Sequence, residues 1–260
     1  MKYLIAVDSD GTLRTSDGII TERTKSIIKD LVSKGYIVAI CTARPRYYTK
    51  KIATEAGASE ILISSNGAEI YDDKKESVIL ALYISTKQCE DIYKYAKEQD
   101  LRVVFVTEDI EYATKFIRND NQILLDDSNI GSLLNKDIKQ IMVIGKEKSK
   151  IMEFRDIVAS KFDLKILDSS SSNRDEIWFS IGNESASKGN AMLKLTEYLN
   201  IPIENTIAIG NDYNDLSMFK ECNISVAVAN SNEDIKKSAK IITDSNDNDG
   251  VAKFLEKLIK

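Results

Sequence analysis

An apolar run at Tyr3–Val7 breaks off in Asp8-Ser9-Asp10-Gly11-Thr12, and few local patterns constrain a fold as tightly. The run reads as a buried strand. Two carboxylates two residues apart at its carboxyl end repel each other where desolvation is costly, so a cation or a reaction has to account for them. In open α/β sheets, ligands bind outside that same end of the strands. Gly11 and Thr12 suit a tight turn whose backbone N–H groups can face an anion. A strand with an acidic turn would also explain this segment taken alone. Three later segments weigh against that reading, because they place polar residues at the same architectural position.

The first third of the chain alternates strand and helix. Strands are expected at 3–8, 36–41 and 60–64, with helices over 21–34 and 46–56 that carry apolar residues such as Ile27, Ile28, Leu31 and Val32 at helical spacing. Gly35 and Gly57 follow as helix stops. Near-continuous apolar strands separated by helices indicate a parallel sheet covered on both faces. After Asn66-Gly67 the pattern becomes mixed: two short strands within 68–83, helix 86–99, strand 101–106, an unassigned polar stretch at 107–136, strand 138–144, helix 147–161, and strands near 163–167 and 175–181. The Ser169–Ser172 run reads as a turn. From 183 the first rhythm returns, with helix 187–199, strand 205–209, helix 214–221, strand 223–228 and helices 232–239 and 248–259. The expected fold is therefore α/β, a Rossmann-like parallel-sheet core at 1–82 and 183–260 with an inserted α+β domain at 83–182.

Composition excludes several function classes. A net charge of −5 over 260 residues argues against a nucleic-acid partner and against an anionic membrane surface. No window approaches the roughly 20 apolar residues of a membrane span, and no signal peptide is evident at the N-terminus. The three cysteines, Cys41, Cys89 and Cys222, have no paired spacing, which suits a reducing cytoplasm. The chain contains no histidine, so Ser-His-Asp triads, Cys-His pairs and His-ligated zinc are all absent. Acid–base chemistry falls to Asp, Glu, Lys, Tyr or Cys, and any metal site is oxygen-rich, favouring magnesium. None of these features sets the oligomeric state.

Parallel strands bring Asp8 and Asp10, Thr42-Ala43-Arg44-Pro45 and Gly210-Asn211-Asp212-Tyr213-Asn214-Asp215 to one sheet edge, and Lys188 opens a helix of the same domain. Residues of these types suit phosphoryl transfer. One carboxylate can attack phosphorus, and a second can protonate the leaving oxygen and then activate water. A hydroxyl, a lysine and backbone amides can balance the phosphoryl oxygens. Plainer explanations exist for each segment: Thr42 as a helix N-cap, Arg44 as a surface charge, Asn66-Gly67 as a hairpin turn. Their common order and common edge favour the chemical reading.

The segments at 8–13, 42–45, 66–72, 187–192 and 209–218 resemble the ordered motifs of the haloacid dehalogenase superfamily, specifically its Cof-type phosphatases with a type IIB cap. The resemblance implies a magnesium-dependent phosphatase for a small phosphorylated metabolite such as a sugar phosphate. It implies Asp8 as nucleophile, Asp10 as acid–base, and Thr42 and Lys188 as holders of the phosphoryl group. Magnesium would be bound by Asp8, the carbonyl of Asp10 and the Asn211/Asp215 motif. Ala43, Arg44, Asn66, Gly67 and Asn214 match positions that line the phosphate or substrate or lie by the cap hinge. Departures from the family pattern are Ser9 for an apolar residue, Asn211 for Asp, Ala43 for Gly, and the missing Pro before Lys188. Ser9 is expected to cost only a little packing, whereas Asn211 removes a negative charge from the metal site. The alternatives are a sugar-phosphate mutase and a non-catalytic phosphometabolite sensor.

Overall fold

The computed structural model describes residues 3–133, 136–168 and 176–258, and the Ser169–Ser172 turn lies outside them. The chain divides into two compact units, one of residues 1–80 and 187–260 and one of residues 81–186.

The larger unit begins with β1 (Leu4–Val7), α1 (Glu22–Ser33), β2 (Ile37–Cys41), α2 (Arg46–Ala56), β3 (Ile61–Ser64), β4 (Glu69–Asp72) and β5 (Ser77–Ala81). Thr21 caps α1, its Oγ1 accepting from Thr24 N at 3.2 Å, and Ile27, Ile28 and Leu31 fall on its buried face. Gly57 ends α2 in the left-handed conformation, at φ +67°. Pro45 occupies the N-cap of α2, so Thr42 does not cap that helix.

The smaller unit contains α3 (Thr86–Glu98), β6 (Arg102–Val106), β7 (Glu111–Ala113), β8 (Gln122–Leu124), β9 (Gln140–Gly145), α4 (Lys148–Lys161), β10 (Leu164–Asp168) and β11 (Ile177–Asn183). Its six strands run in the order β10-β11-β9-β6-β7-β8. All described pairs are antiparallel except β7 with β8. Alternation along β6 and β9 sends Val103, Phe105, Ile141 and Val143 into one core with Ile92 of α3 and Phe154 of α4. β7 and β8 occupy the polar stretch left unassigned at 107–136. Each is three residues long, too short for alternation to register.

The chain then returns to the larger unit with α5 (Lys188–Leu199), β12 (Thr206–Gly210), α6 (Leu216–Glu221), β13 (Ile224–Val228), α7 (Glu233–Ser238), β14 (Ile241–Thr243) and α8 (Gly250–Leu255). β14 is absent from the sequence reading for a physical reason. It is an edge strand with Ile241 and Ile242 40% and 55% exposed, so no burial pattern marks it. The eight-stranded sheet runs β14-β13-β12-β1-β2-β3-β4-β5. It is parallel from β14 to β3, and β4 turns antiparallel to β3, so the core sheet is mixed rather than wholly parallel. Two apolar clusters cover it. Ile5, Val7 and Ile40 pack with α1, α2 and α8, and Leu4, Ala6 and Ala39 with α5, α6 and α7. β1, buried on both faces, thus delivers Asp8 from the centre of the sheet. Among the described residues, no helix is long and apolar enough to cross a membrane.

The turn between β3 and β4 holds Asn66 at φ +56° and Gly67 at φ +87°. A Cβ on Gly67 would lie 2.2 Å from the carbonyl oxygen of Ser187, the residue that caps α5. Gly67→Ala therefore combines left-handed strain with a backbone clash and is expected to lower Tm by about 4 °C or more. An unchanged thermal unfolding curve would contradict this packing.

Candidate active site

The carboxyl ends of β1, β2 and β12 lie side by side because β1 pairs in parallel with both neighbours. Asp8 continues the β1–β12 ladder, donating its N–H to Ile209 at 2.9 Å, and Thr42 continues β2 by donating to Ile63 at 3.0 Å. Asp8, Thr42, Lys188 and Asp215 are all buried.

The centre of the site is an ion triad. Lys188 Nζ lies 2.6 Å from Asp8 Oδ1 and 2.6 Å from Asp215 Oδ1. Ser187, the N-cap residue, fixes the start of α5 by accepting Asn190 N at 3.1 Å. Asp215 is held in turn: its Oδ2 accepts Asn211 N at 2.7 Å and Asp212 N at 3.0 Å. Gly210 makes this possible, since a Cβ there would stand 2.5 Å from the Asp215 carboxylate. Both Asp215 oxygens are thus engaged, one by lysine and one by backbone.

Burial pushes the Asp8 carboxyl up to about 7, with Asp215 adding to the rise and Lys188 opposing it. Burial alone would lower the Lys188 ammonium, but the charges of Asp215 and Asp8 outweigh it and raise it. When Asp8 is ionised, two carboxylates with one ammonium leave a net charge of −1 in a buried place, which a further cation would relieve.

Asp10 behaves differently. Its side chain is 44% exposed and meets two arginines. Arg44 donates from Nε to Oδ2 at 2.9 Å and from a terminal nitrogen to Oδ1 at 3.0 Å, while Arg14 donates to Oδ1 at 3.2 Å. Partial burial pulls this carboxyl upward, but the bonds and charge of Arg44, with Ser9 and Arg14, outweigh it and hold Asp10 below the usual carboxylate range.

Ser9 does more than cost a little packing. It is fully buried, its Oγ lies 2.8 Å from Thr42 Oγ1, and it donates to Asp10 Oδ2 at 3.0 Å. Thr42 Oγ1 also accepts from Arg44 N at 3.2 Å. Of the other sequence-predicted residues, Ala43 sits half-buried between Thr42 and Arg44, and Asn66 accepts from Asn214 Nδ2 at 2.9 Å. Gly67 packs against the start of α5. Cys41, behind the triad, has its thiol pushed up to about 12 by burial.

Three acceptors converge on the end of the Asn211 side chain: Asp8 Oδ2 and the Asp10 carbonyl, each at 3.1 Å, and Thr12 Oγ1 at 2.9 Å. They turn its amide nitrogen toward them. Among the described residues, no three Asp, Glu or Cys side chains gather around one point. The oxygen donors near Asn211 are instead one carboxylate, one carbonyl and, after rotation, one amide oxygen. That set, with the uncompensated negative charge of the triad, fits a hard divalent cation.

Residues 5–255 match the family of haloacid dehalogenase-like hydrolases. The chain is 29% identical to the 5-amino-6-(5-phospho-D-ribitylamino)uracil phosphatase YcsE of Bacillus subtilis (strain 168), over 97% of this chain and 94% of that protein. It is 27% identical to the phosphatase YwpJ of the same organism, over 98% and 99%. A solved haloacid dehalogenase-like hydrolase from B. subtilis superposes with a TM-score of 0.86 at 25% identity, covering 98% of this chain and 99% of that one. The subclass IIB sugar phosphatase BT4131 shares the fold, at a TM-score of 0.82 and 19% identity over 98% of both chains.

The buried triad yields a prediction of its own. Asp8 binds a proton more tightly in the folded than in the unfolded chain, so its stabilising effect is complete below about pH 4 and is lost as pH rises to about 7. In chelator at about pH 8, Asp8→Asn is expected to raise Tm by roughly 3 °C or more, with a smaller gain at about pH 5. A lower Tm at both pH values would contradict the charge imbalance.

The sequence match over residues 5–255, with full-length phosphatase relatives, places the chain among the haloacid dehalogenase-like hydrolases, as a phosphatase.

Proposed function

We propose that this phosphatase hydrolyses a small phosphomonoester, a sugar phosphate or similar metabolite, with magnesium and through an aspartyl-phosphate on Asp8. The observation that carries the reading is the buried Asp8–Lys188–Asp215 triad beside the more exposed Asp10. An oxygen of Asp8 forms the new bond to phosphorus while the ester P–O bond breaks. The bonding pair leaves with the ester oxygen, which takes a proton from Asp10. Water then attacks the aspartyl-phosphate and gives its proton back to Asp10, and the Asp8 carboxylate leaves.

Lys188 and Thr42 balance charge on the phosphoryl oxygens, and Asp215 holds Lys188 in place. Magnesium, when bound, neutralises charge that would repel a dianionic ester from Asp8. Asp8, the Asp10 carbonyl and the Asn211 amide oxygen would hold it, with Asp215 positioning Asn211 through its backbone. Ribityl phosphates belong in the first substrate panel, since three Bacillus subtilis relatives are named for a phosphoribitylaminouracil.

Phosphate release from a panel of sugar and polyol phosphates is expected to need magnesium, to stop in chelator, and to fall by a factor of about 10³ or more in Asp8→Asn. Tight ester binding without release, unchanged in Asp8→Asn, would favour a sensor. Transfer of the phosphoryl group to a second hydroxyl would favour a mutase.

A further inference from the structure

Asp10 cannot do its proposed work in the arrangement observed. A carboxylate has about four lone-pair sites, and four donors fill them. Oδ1 accepts from Arg14 and Arg44, and Oδ2 accepts from Arg44 and Ser9. With every site taken, none remains for passing a proton to a leaving oxygen. One donor has to withdraw first.

The three residues differ in exposure. Ser9 is fully buried and tied to Thr42. Arg14 is 19% exposed and is anchored independently of Asp10, its Nε donating to the Gly18 carbonyl at 3.0 Å. The turn that carries it is closed by Thr15 N on Ile19 O at 2.9 Å and Gly18 N on Thr15 O at 2.8 Å. Asn246 Nδ2, on the Arg14 carbonyl at 3.0 Å, ties that turn to the loop before α8. Arg44 is 38% exposed and rests on the face of Tyr48, 4.7 Å from the ring centre. Its planar fork matches carboxylate and phosphoryl groups alike, and a phosphoryl dianion offers it the greater charge.

We propose that Arg44 is a removable lock on Asp10 and Arg14 a fixed positioning residue. An arriving phosphoryl group draws the Arg44 guanidinium away, freeing a lone pair on each Asp10 oxygen. One freed site takes up a proton from solvent, and Arg14 and Ser9 keep the carboxyl group aligned while that proton goes to the departing ester oxygen. The proposal rests on the phosphatase reading, with Asp10 as the proton carrier.

The first test needs no turnover. In 15N-labelled protein with magnesium, inorganic phosphate is titrated while the arginine Nε–H resonances are followed. Arg44 is expected to shift and Arg14, held on Gly18, to stay. An Arg44 resonance unmoved at the highest phosphate concentration, or an Arg14 resonance that moves with it, would overturn the lock.

The second test compares kcat/KM for p-nitrophenyl phosphate, whose leaving group needs little protonation, with that for glycerol 2-phosphate, whose leaving group does. Arg14→Met is expected to raise this ratio about tenfold or more with little change in KM, and Arg14→Lys to restore part of the loss. Arg44→Met is expected to raise KM for both esters and to leave the ratio within about twofold. Equal losses on both esters in Arg14→Met, or a ratio raised by Arg44→Met, would overturn the division of roles. A parent protein without Asp8-dependent turnover would strike at the phosphatase reading alone, and the resonance test would still decide whether Arg44 leaves Asp10.

Discussion

One buried ammonium shared by two carboxylates organises the larger unit. Lys188 bridges Asp8 at the end of β1 and Asp215 at the turn into α6, with 2.6 Å contacts to each. Such a group is costly unless its charges are matched: loss of Lys188 would leave two buried carboxylates unpaired, whereas loss of the Asp8 charge leaves Lys188 paired with Asp215. The surrounding backbone is arranged accordingly. Gly67 lets the β3–β4 turn press against the start of α5, Gly210 clears space for Asp215, and two backbone N–H groups hold its second oxygen. The parallel sheet sets the positions of Asp8 and Thr42, and the triad links that sheet edge to α5.

The two aspartates of the first motif stand in opposite environments although one residue separates them. Asp8 is buried, raised by desolvation and close to one cation shared with a rival carboxylate. Asp10 is half-exposed and held low by guanidinium groups. Paired carboxyl groups pushed apart in this way are suited to different tasks. In the mechanism proposed above Asp8 attacks and Asp10 carries the proton, the reverse of the order in which the two carboxyl groups are shifted here. A cation at Asp8 would lower its carboxyl, and the proposed withdrawal of Arg44 would raise that of Asp10, so both changes would run toward the order the reaction needs.

Much of this was legible in the sequence. Apolar strands ending in polar clusters marked the α/β core and brought the Asp8, Thr42 and Asn211–Asp215 segments to one edge, because parallel strands leave few other placements. What escaped was what pattern cannot encode. β7, β8 and β14 are three-residue strands, and two of the three residues in β14 are well exposed. Ser9 read as a packing defect because its partners, Thr42 and Asp10, meet it only in the folded chain. Arg14 carried no signal, since its role depends on a turn that folds back onto Asp10. Asn66 and Asn214 were each legible, but their mutual hydrogen bond was not.

The central claim is that Asp8 carries the phosphoryl group, and trapping tests it most directly. The protein is mixed with an ester it hydrolyses and magnesium, quenched in acid within a turnover, and reduced with borohydride, which converts an acyl phosphate to an alcohol. Peptide mass spectrometry is then expected to find homoserine in place of aspartate at position 8 and nowhere else. Unmodified Asp8 under conditions of steady phosphate release, or modification at Asp10 or Asp215 instead, would contradict the account.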